Sequence, residues 1–269
     1  MEIKEVVYKG AIIKVSTKGG FKKNPVIFLH GNSLSSSTFK KQFEELDLPL
    51  VAIDLPGHGN SEPAKDSDGN YSIQGYAQAV ASVIRQLKVE NFILAGHSLG
   101  GHVAINVAAE LKNTSGLLIF GTPPLDSVNS LGQAFLPNPL FPLLLQGTVS
   151  NEEAMQLAES MLFQKEHKNI LKNDILGTDP SARSCFGAFV AKGIIEDEVK
   201  IIKKRNYPVA ILHGENDSFV NREYIEGIGF SNLWKNKIHQ ITNSDHCPQL
   251  EQAATFNALL NDYYNSVFP

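Results

Sequence analysis

The chain of 269 residues is long enough to bury one sizeable core, either alone or with one inserted lobe. Apolar residues make up 42% of it and charged residues 19%, a balance typical of a soluble globular protein. The net charge of −4, without a long basic block, argues against nucleic acid or an anionic membrane surface as a partner.

The sequence carries no recognisable export, membrane or metal-binding signal. Residues 1–5 are charged and lack the apolar centre of a signal peptide. The most apolar stretch, residues 135–145, is broken by prolines and falls far short of the roughly 20 residues that a spanning helix needs. Cys185 and Cys247 are too few for a disulfide framework, and no metal-ligand spacing occurs. We therefore expect a cytoplasmic protein with reduced thiols and without a metal or cofactor.

The predicted elements begin with two short runs, residues 5–8 and 11–15, which indicate an antiparallel hairpin at a sheet edge. Continuously apolar runs are typical of strands buried on both faces of a parallel sheet, and five follow, at residues 25–30, 50–54, 91–96, 116–121 and 208–214. Apolar residues at helix spacing mark residues 73–87, 103–111 and 256–267. This alternation predicts a three-layer α/β fold with right-handed crossovers.

The alternation breaks between residues 123 and 206. Helical patches occur there, for example at residues 152–163, but no convincing buried strand does. We interpret 123–206 as a mostly helical cap inserted between two parts of one core, 1–122 and 207–269. Such a cap would cover the C-terminal edge of the sheet, where open α/β sheets bind ligands.

The strongest local signal is Gly96-His97-Ser98-Leu99-Gly100-Gly101, between a predicted strand and a predicted helix. Gly-x-Ser-x-Gly occurs by chance in loops, but the strand–turn–helix context is the one that presents a nucleophilic serine. The glycines relieve crowding on the tight turn, and the start of the helix favours developing negative charge. Ser98 is therefore the predicted nucleophile.

A serine hydroxyl needs a base to take its proton and a carboxylate to orient that base. With this motif the chain order is serine, acid, histidine. His246, in a polar loop before the last helix, is the predicted base, and Asp217, after the fifth buried run, is the predicted acid. Glu215 and Asp126 remain alternatives for the acid. The other histidines fit strands, the cap or the surroundings of the turn better: His30, His97, His102, His167, His213 and His239.

The negative oxygen of the reaction intermediate needs two hydrogen-bond donors. The backbone N–H of Leu99 is one candidate, because it follows the nucleophile. The second donor is expected from the loop after an early strand, and His30-Gly31-Asn32-Ser33 is such a loop. We predict the N–H of Asn32, since Gly31 would let the backbone approach the substrate closely.

Taken together, three segments resemble α/β-hydrolases: His30-Gly31, the run Asp54-Leu55-Pro56-Gly57-His58-Gly59-Asn60-Ser61, and the Ser98 turn. The resemblance extends over essentially the whole chain. It implies a three-layer αβα fold, with a mostly parallel eight-stranded sheet and an inserted helical cap. It also implies that Asp54 and His58 brace the loop beside the active site.

A narrower resemblance is to the α/β-hydrolase type of N-acyl homoserine lactonase, quorum-quenching enzymes that use serine, an acid and histidine without metal. It rests on residues 30–33, 71–77, 121–124, 217–220, 231–234 and 243–246. The sequence departs from that family in two places. Asp217 stands where the family can carry glutamate, and Gln156-Leu157-Ala158 falls where the family has a cap tyrosine. The second departure bears on recognition of the substrate amide rather than on hydrolysis.

We therefore predict a serine hydrolase that cleaves a carboxylic ester or lactone, with ring opening of N-acyl homoserine lactones as the favoured reaction. A general carboxylesterase or C–C bond hydrolase with the same triad is the alternative. A receptor that uses the hydrolase fold only to bind a small molecule is an alternative of another class. Epoxide hydrolases and dehalogenases need an aspartate nucleophile, so Ser98 excludes them.

The expected partner is a small-molecule ester or lactone, and monomer and homodimer both stay open. Apolar residues of the cap and of the Asp217 loop are predicted to line an acyl-chain site. The same residues would equally suit packing inside the cap. They are Phe135, Leu136, Leu140, Phe141, Leu143, Leu157 and Phe219.

Overall fold

The computed structural model describes residues 1–67 and 69–269 of the chain, and their strands form one eight-stranded sheet. The strands are β1 (Glu2–Tyr8), β2 (Ala11–Lys18), β3 (Val26–Leu29), β4 (Leu50–Ile53), β5 (Phe92–His97), β6 (Thr114–Phe120), β7 (Val209–Gly214) and β8 (His239–Ile241). Their order is β1-β2-β4-β3-β5-β6-β7-β8. Only the β1–β2 and β2–β4 pairings are antiparallel. The predicted mostly parallel sheet with a hairpin at its edge is therefore confirmed.

Eleven α-helices occur in the described part of the chain. They are α1 (Lys40–Glu45), α2 (Ile73–Leu87), α3 (Leu99–Glu110), α4 (Leu131–Ala134), α5 (Asn151–Ser160), α6 (Lys168–Gly177), α7 (Pro180–Ala191), α8 (Glu198–Lys203), α9 (Arg222–Gly227), α10 (Pro248–Glu251) and α11 (Ala253–Val267). Helix α2 begins where predicted, because the Ser72 side chain accepts a hydrogen bond from the N–H of Gly75.

The sheet is buried on both faces because strands β3 and β4 are apolar at every position and β5, β6 and β7 are mostly apolar. Along β3, Ile27 and Leu29 belong to the core shared with α2 and α3. Val26 and Phe28, which alternate with them, belong to a second core on the opposite face, shared with α1 and α11. This arrangement is the predicted αβα sandwich, and it places the carboxyl ends of β3, β5, β6 and β7 side by side.

The long connection from β6 to β7 forms the cap. Residues 121–208, all of which the structure describes, contain helices α4 to α8 and no strand of the sheet. The cap is tied to loops that follow β3 and β4: Asp174 Oδ2 accepts from the Ser35 and Ser37 hydroxyls, and the N–H of Asp179 donates to the Gly57 carbonyl. It therefore lies over the carboxyl ends of these strands.

Two further observations concern membrane-spanning helices and the cysteines. Within the described residues, no helix is both long and apolar enough to cross a membrane. Cys185 and Cys247 are free thiols, and burial raises the pKa of Cys247 well above its ordinary value.

Candidate active site

The candidate catalytic residues lie just beyond the carboxyl ends of four parallel strands. Asn32 follows β3, Ser98 follows β5, Asp217 follows β7 and His246 follows β8. Carboxyl ends of parallel strands meet at one edge of a sheet, which is where open α/β sheets hold their ligands. The topology therefore brings together four residues that are up to 214 positions apart in the sequence.

Ser98 occupies a strained turn between β5 and α3. Its φ of 50° and ψ of −119° are outside the regions that L-residues normally adopt. The turn is tied to the neighbouring strand β6 by a hydrogen bond from the N–H of Ser98 to the Phe120 carbonyl, at 2.9 Å. A Cβ added at Gly96 would lie 2.4 Å from the Gly100 carbonyl oxygen, and one at Gly100 would lie 2.2 Å from that of Leu29. The turn can form only because both positions are glycine.

The His246 imidazole is held by Asp217. Its Nδ1 lies 3.1 Å from both carboxylate oxygens of that residue. Asp217 Oδ1 also accepts the backbone N–H groups of Phe219 and Val220, at 2.9 and 3.0 Å. A carboxylate fixed in this way keeps the proton on Nδ1 and leaves Nε2 as the nitrogen able to accept one.

The two alternative acids lie elsewhere. Glu215 is exposed, and its carboxylate accepts the N–H of Asn243 at 3.3 Å. Asp126 is also exposed and accepts the hydroxyl of Ser127. Of the three carboxylates considered from the sequence, the structure brings only Asp217 to the imidazole.

Burial and charge act in opposite directions on this pair. Burial alone would lower the pKa of His246, but the charge and hydrogen bond of Asp217, with the charges of Asp245 and Glu251, raise it above its ordinary value of 6.5. Burial would raise the pKa of Asp217, but His246 and the N–H of Phe219 hold it below its ordinary value. Asp217 is thus an ionised partner that stabilises positive charge on the imidazole.

His246 and Ser98 pack against the same short segment at the end of β6. A Cβ at Gly121 would lie 3.0 Å from Cε1 of His246, and the preceding residue, Phe120, accepts the N–H of Ser98. His97 donates from Nε2 to the His246 carbonyl at 2.8 Å, and the two rings lie 4.9 Å apart. The Ser98 hydroxyl donates a hydrogen bond to none of the described residues. The hydrogen bond between a nucleophile and its base is often long in an enzyme without substrate and tightens when substrate binds.

Asn32 and Leu99 border the same cavity as Ser98. Within the described chain, neither backbone N–H donates a hydrogen bond, so both remain free to stabilise an oxyanion. The Asn32 side chain donates to the Leu144 carbonyl at 2.8 Å, and that bond ties the loop to the cap. Their service as oxyanion donors stays a prediction from the sequence.

The histidines and the aspartate near this loop hold the backbone in place. His30 donates from Nδ1 to the Gly31 carbonyl and accepts the N–H of Leu55 at Nε2, and burial lowers its pKa to about 4. Asp54 accepts the N–H groups of Ser36 and Asn60. The ring of His58 is also buried, which lowers its pKa to about 3. These neutral rings and the braced carboxylate fix the loops on which the oxyanion donors depend.

An apolar cavity of about 450 Å³ opens at Ser98, between the sheet and the cap. Three of the predicted acyl-site residues line it, namely Phe135, Leu136 and Phe141. Four do not: Leu143 and Leu157 are buried in the core, Leu140 packs against it, and Phe219 is buried against the His246 ring at 5.0 Å. The Gln156 side chain is exposed and bonded to Glu152, so this turn of α5 presents no polar group to the cavity.

Other residues of the cavity were missed from the sequence. Phe186, Phe189 and Val190 of α7 form one wall, and their i, i+3, i+4 spacing is the signal that could have identified it. A second omission is Glu198, which is buried and bonded to His102 beside the cavity. No sequence pattern joins those two residues, because 96 positions separate them.

A family model described as the alpha/beta hydrolase family matches residues 26–259. The chain belongs to the alpha/beta hydrolase family. The AB hydrolase superfamily protein YisY of Bacillus subtilis (strain 168) is 26% identical to this α/β-hydrolase over 258 residues, 90% of this chain and 92% of that protein. The bifunctional esterase/perhydrolase DCH of Acinetobacter calcoaceticus is 29% identical over 250 residues, 87% and 89% of the two chains.

A shorter sequence match and a match to a solved structure support the same family assignment. Esterase Rv0045c of Mycobacterium tuberculosis (strain ATCC 25618 / H37Rv) is 39% identical over 115 residues, which are 43% of this α/β-hydrolase but only 37% of that relative. A crystal structure of a variant of the N-acyl homoserine lactonase AidH, complexed with N-hexanoyl homoserine lactone, has a TM-score of 0.91 and 31% identity, covering 98% and 97% of the two chains. The predicted resemblance to α/β-hydrolases and to these lactonases is confirmed, as is the prediction of a hydrolase acting on ester bonds.

Proposed function

We propose that this α/β-hydrolase opens the lactone ring of N-acyl homoserine lactones. The observation that carries the proposal is the apolar cavity that begins at Ser98, in a chain with the described similarity to AidH. Its volume of about 450 Å³ falls in the range of small-molecule sites. Walls such as Phe135 and Phe189 suit an acyl chain, while the lactone head would lie against Ser98.

In the first half of the reaction, Ser98 Oγ attacks the lactone carbonyl carbon and His246 Nε2 takes the hydroxyl proton. Asp217 stabilises the imidazolium that forms. The N–H groups of Asn32 and Leu99 bind the oxyanion, a contribution typically worth 2.7–4 kcal/mol per donor. When the intermediate collapses, the ring C–O bond breaks, and His246 gives its proton to the departing alkoxide.

The product of that step is an ester of Ser98 in which the leaving alcohol is still attached, because it was part of the ring. A water molecule, deprotonated by His246, then attacks the ester carbonyl. Collapse of the second intermediate returns the proton to Ser98 Oγ and releases an N-acyl homoserine. One water is added and no fragment is lost.

A general carboxylesterase is the alternative that the same geometry favours next, because the triad and the oxyanion donors do not depend on the alcohol that leaves. A C–C bond hydrolase would use the same residues. A receptor would bind the ligand and not turn it over. The strained turn at Ser98 and the free N–H groups favour catalysis over binding alone, since strain of this kind is retained where it serves chemistry.

Mass spectrometry of N-hexanoyl homoserine lactone incubated with the enzyme tests the proposal. We expect one product, heavier than the substrate by one water, and no free homoserine lactone. Ser98→Ala should remove all but a residual rate, by roughly four or more powers of ten, while the protein stays folded. A chelator should not alter the rate, because each proposed step uses only groups of this chain and water.

Three results would contradict the proposal. Two fragments would indicate amide cleavage, and unchanged lactone with rapid turnover of aryl esters would indicate a general esterase. Binding without turnover, together with no labelling of Ser98 by a fluorophosphonate, would indicate a receptor.

A further inference from the structure

Three of the side chains that line the cavity are polar: Asn32, Ser98 and His102. Asn32 and Ser98 have places in the proposed hydrolysis, but His102 has none. It lies on α3, four residues after Ser98, and its N–H donates to the Ser98 carbonyl at 3.3 Å, so it lies one helical turn beyond the nucleophile. A histidine in an otherwise apolar wall needs a physical reason, because an unpartnered polar group there costs free energy.

His102 is held by a buried carboxylate. Its Nδ1 lies 2.8 Å from Oε2 of Glu198, a residue of α8 in the cap that is 1% exposed. Glu198 also accepts the N–H of Leu125 at 3.0 Å and, more weakly, the amide of Asn106 at 3.4 Å. Burying a carboxylate is costly unless it is fully partnered, so this is a built arrangement rather than a chance surface contact.

Glu198 decides which nitrogen of the ring carries the proton. A carboxylate can only accept, so Nδ1 is the protonated nitrogen, and in the neutral ring Nε2 is then an acceptor. Nε2 has no hydrogen bond with any described residue and is not among the fully buried unpartnered atoms. Because His102 lines the cavity, its free acceptor is available to a ligand there.

A link between α3 and α8 would explain the Nδ1–Glu198 bond but not a free acceptor inside an apolar cavity. An N-acyl homoserine lactone carries an N–H on the carbon next to the carbonyl that Ser98 attacks. His102 lies one helical turn beyond Ser98 and lines the same cavity, so a group on the carbon next to the attacked carbonyl is within reach of its ring. The ligand group that matches a lone acceptor at that place is an N–H donor.

We propose that His102 is a specificity-determining residue whose Nε2 accepts the substrate's amide N–H, and that Glu198 is a positioning residue that fixes the ring in the accepting tautomer. This assignment rests on the proposed function and adds to it the feature by which substrates are selected. Among lactones of equal chain length, the enzyme then prefers those with a secondary amide next to the ring carbonyl.

The test compares kcat/KM for two lactones. One is N-hexanoyl homoserine lactone, and the other is a γ-butyrolactone with an alkyl chain of matched length on the same carbon and no amide. His102→Leu should reduce the ratio of the two values about tenfold or more, the discrimination that one buried hydrogen bond provides. Asn106→Ala is the matched control and should not change the ratio: it removes the weak contact to Glu198 and a bond to the His102 backbone carbonyl, but it leaves the ring bond.

Glu198→Gln is the second variant, and it does not leave a charge unpaired. Because Glu198 Oε2 accepts both the ring N–H and the N–H of Leu125, a glutamine keeps its carbonyl oxygen there, holds the ring proton on Nδ1 and should leave the ratio unchanged. Glu198→Ala removes that acceptor and lets the ring carry its proton on Nε2, so the ratio should fall as in His102→Leu. If His102→Leu does not fold, as judged by near-UV circular dichroism, Glu198→Ala decides, with Glu198→Gln as its rescue.

An unchanged ratio in folded His102→Leu or folded Glu198→Ala would overturn the role of His102. Failure of the unmodified enzyme to open either lactone would instead disprove the proposed function, and the role of His102 would fall with it. Opening of both lactones with no preference for the amide would leave the proposed function standing and overturn only the assignment to His102.

Discussion

The catalytic edge, formed by Asn32, Ser98, Asp217 and His246, and the cavity beneath the cap meet at Ser98 but are held in place differently. At the catalytic edge, positions are fixed by hydrogen bonds and by backbone contacts that tolerate no extra atom, as at Gly96 and Gly100. The cavity wall is apolar, and its shape follows from how cap helices lie on the core. The first region therefore defines a reaction, and the second defines which molecule undergoes it.

This difference predicts where substitutions act. A change at the catalytic edge should alter the rate for every substrate, whereas a change in the cavity should alter the ranking of substrates. Substitutions that affect attachment of the cap should have a third kind of effect, on stability. The hydrogen bonds of Asp174 and Asp179 hold the cap on the core and do not involve the reacting atoms.

The largest effect is expected at the carboxylate that orients the base. Asp217→Asn should reduce kcat/KM by about ten-thousand-fold for all ester and lactone substrates, since an amide can stabilise the wrong imidazole tautomer. Glu215→Gln, in the same loop, is the matched control and should leave the rate within a few-fold. Steady-state kinetics on one aryl ester and one lactone suffice, and a larger loss in Glu215→Gln would assign the acid differently.

The same contrast explains what could be predicted from the sequence. The Ser98 turn can be recognised in the sequence because close backbone contacts leave no room for a side chain at its glycines. Chain order then identifies Asp217 and His246, which follow it. The residues that line the cavity cannot be recognised in this way. Leu157 and Phe186 are both apolar residues at helix spacing, and only the packing of α5 and α7 decides that one is buried and the other lines the cavity.

The His102–Glu198 contact was out of reach for a related reason. Its two residues are distant in the sequence, and nothing about a glutamate at the start of a short cap helix indicates burial. Sequence reasoning thus recovered the fold and named four residues that the structure brings to one edge of the sheet. It identified only some of the residues that line the cavity, because one apolar residue can replace another there without changing the hydrophobic pattern of the sequence.

The pH dependence should report the environment of the base. His246 must be neutral to accept the Ser98 proton, and its pKa is raised, so kcat/KM should fall about tenfold per pH unit below a midpoint that lies above 6.5. Asp245→Asn removes one of the charges that raise this pKa, and it should move the midpoint to lower pH. A midpoint at or below 6.5 in the unmodified enzyme would contradict this description of the site.

Phe189 should limit the length of the acyl chain. Phe189 lines both the Ser98 cavity and a second one of about 520 Å³, and among the described residues it alone does so. Phe189→Ala should join the two and raise the preference for decanoyl over butanoyl lactones about tenfold, the scale of one or two methylene contacts. Phe186→Ala, which widens the first cavity alone, is the control and should shift the preference less.

The smallest effect concerns attachment of the cap. Burial raises the pKa of Asp174 from 3.8 to about 6, so the folded protein binds this proton more tightly than the unfolded chain does. Ionisation therefore weakens folding as the pH rises through about 6. Asp174→Asn should raise the melting temperature at pH 8 by a few degrees, or roughly 1 kcal/mol, and should have less effect at pH 4.5. The exposed Asp126→Asn is the control, and destabilisation by Asp174→Asn at pH 8 would contradict the argument.

The most direct test of a serine-dependent ring opening is the mass of the covalent intermediate. The enzyme is mixed with N-hexanoyl homoserine lactone, quenched with acid within the first turnover, digested and analysed by mass spectrometry. Because the leaving alcohol stays attached, we predict that the peptide containing Ser98 gains the full mass of the lactone. A gain of the hexanoyl group alone, or an adduct on any residue other than Ser98, would contradict the mechanism.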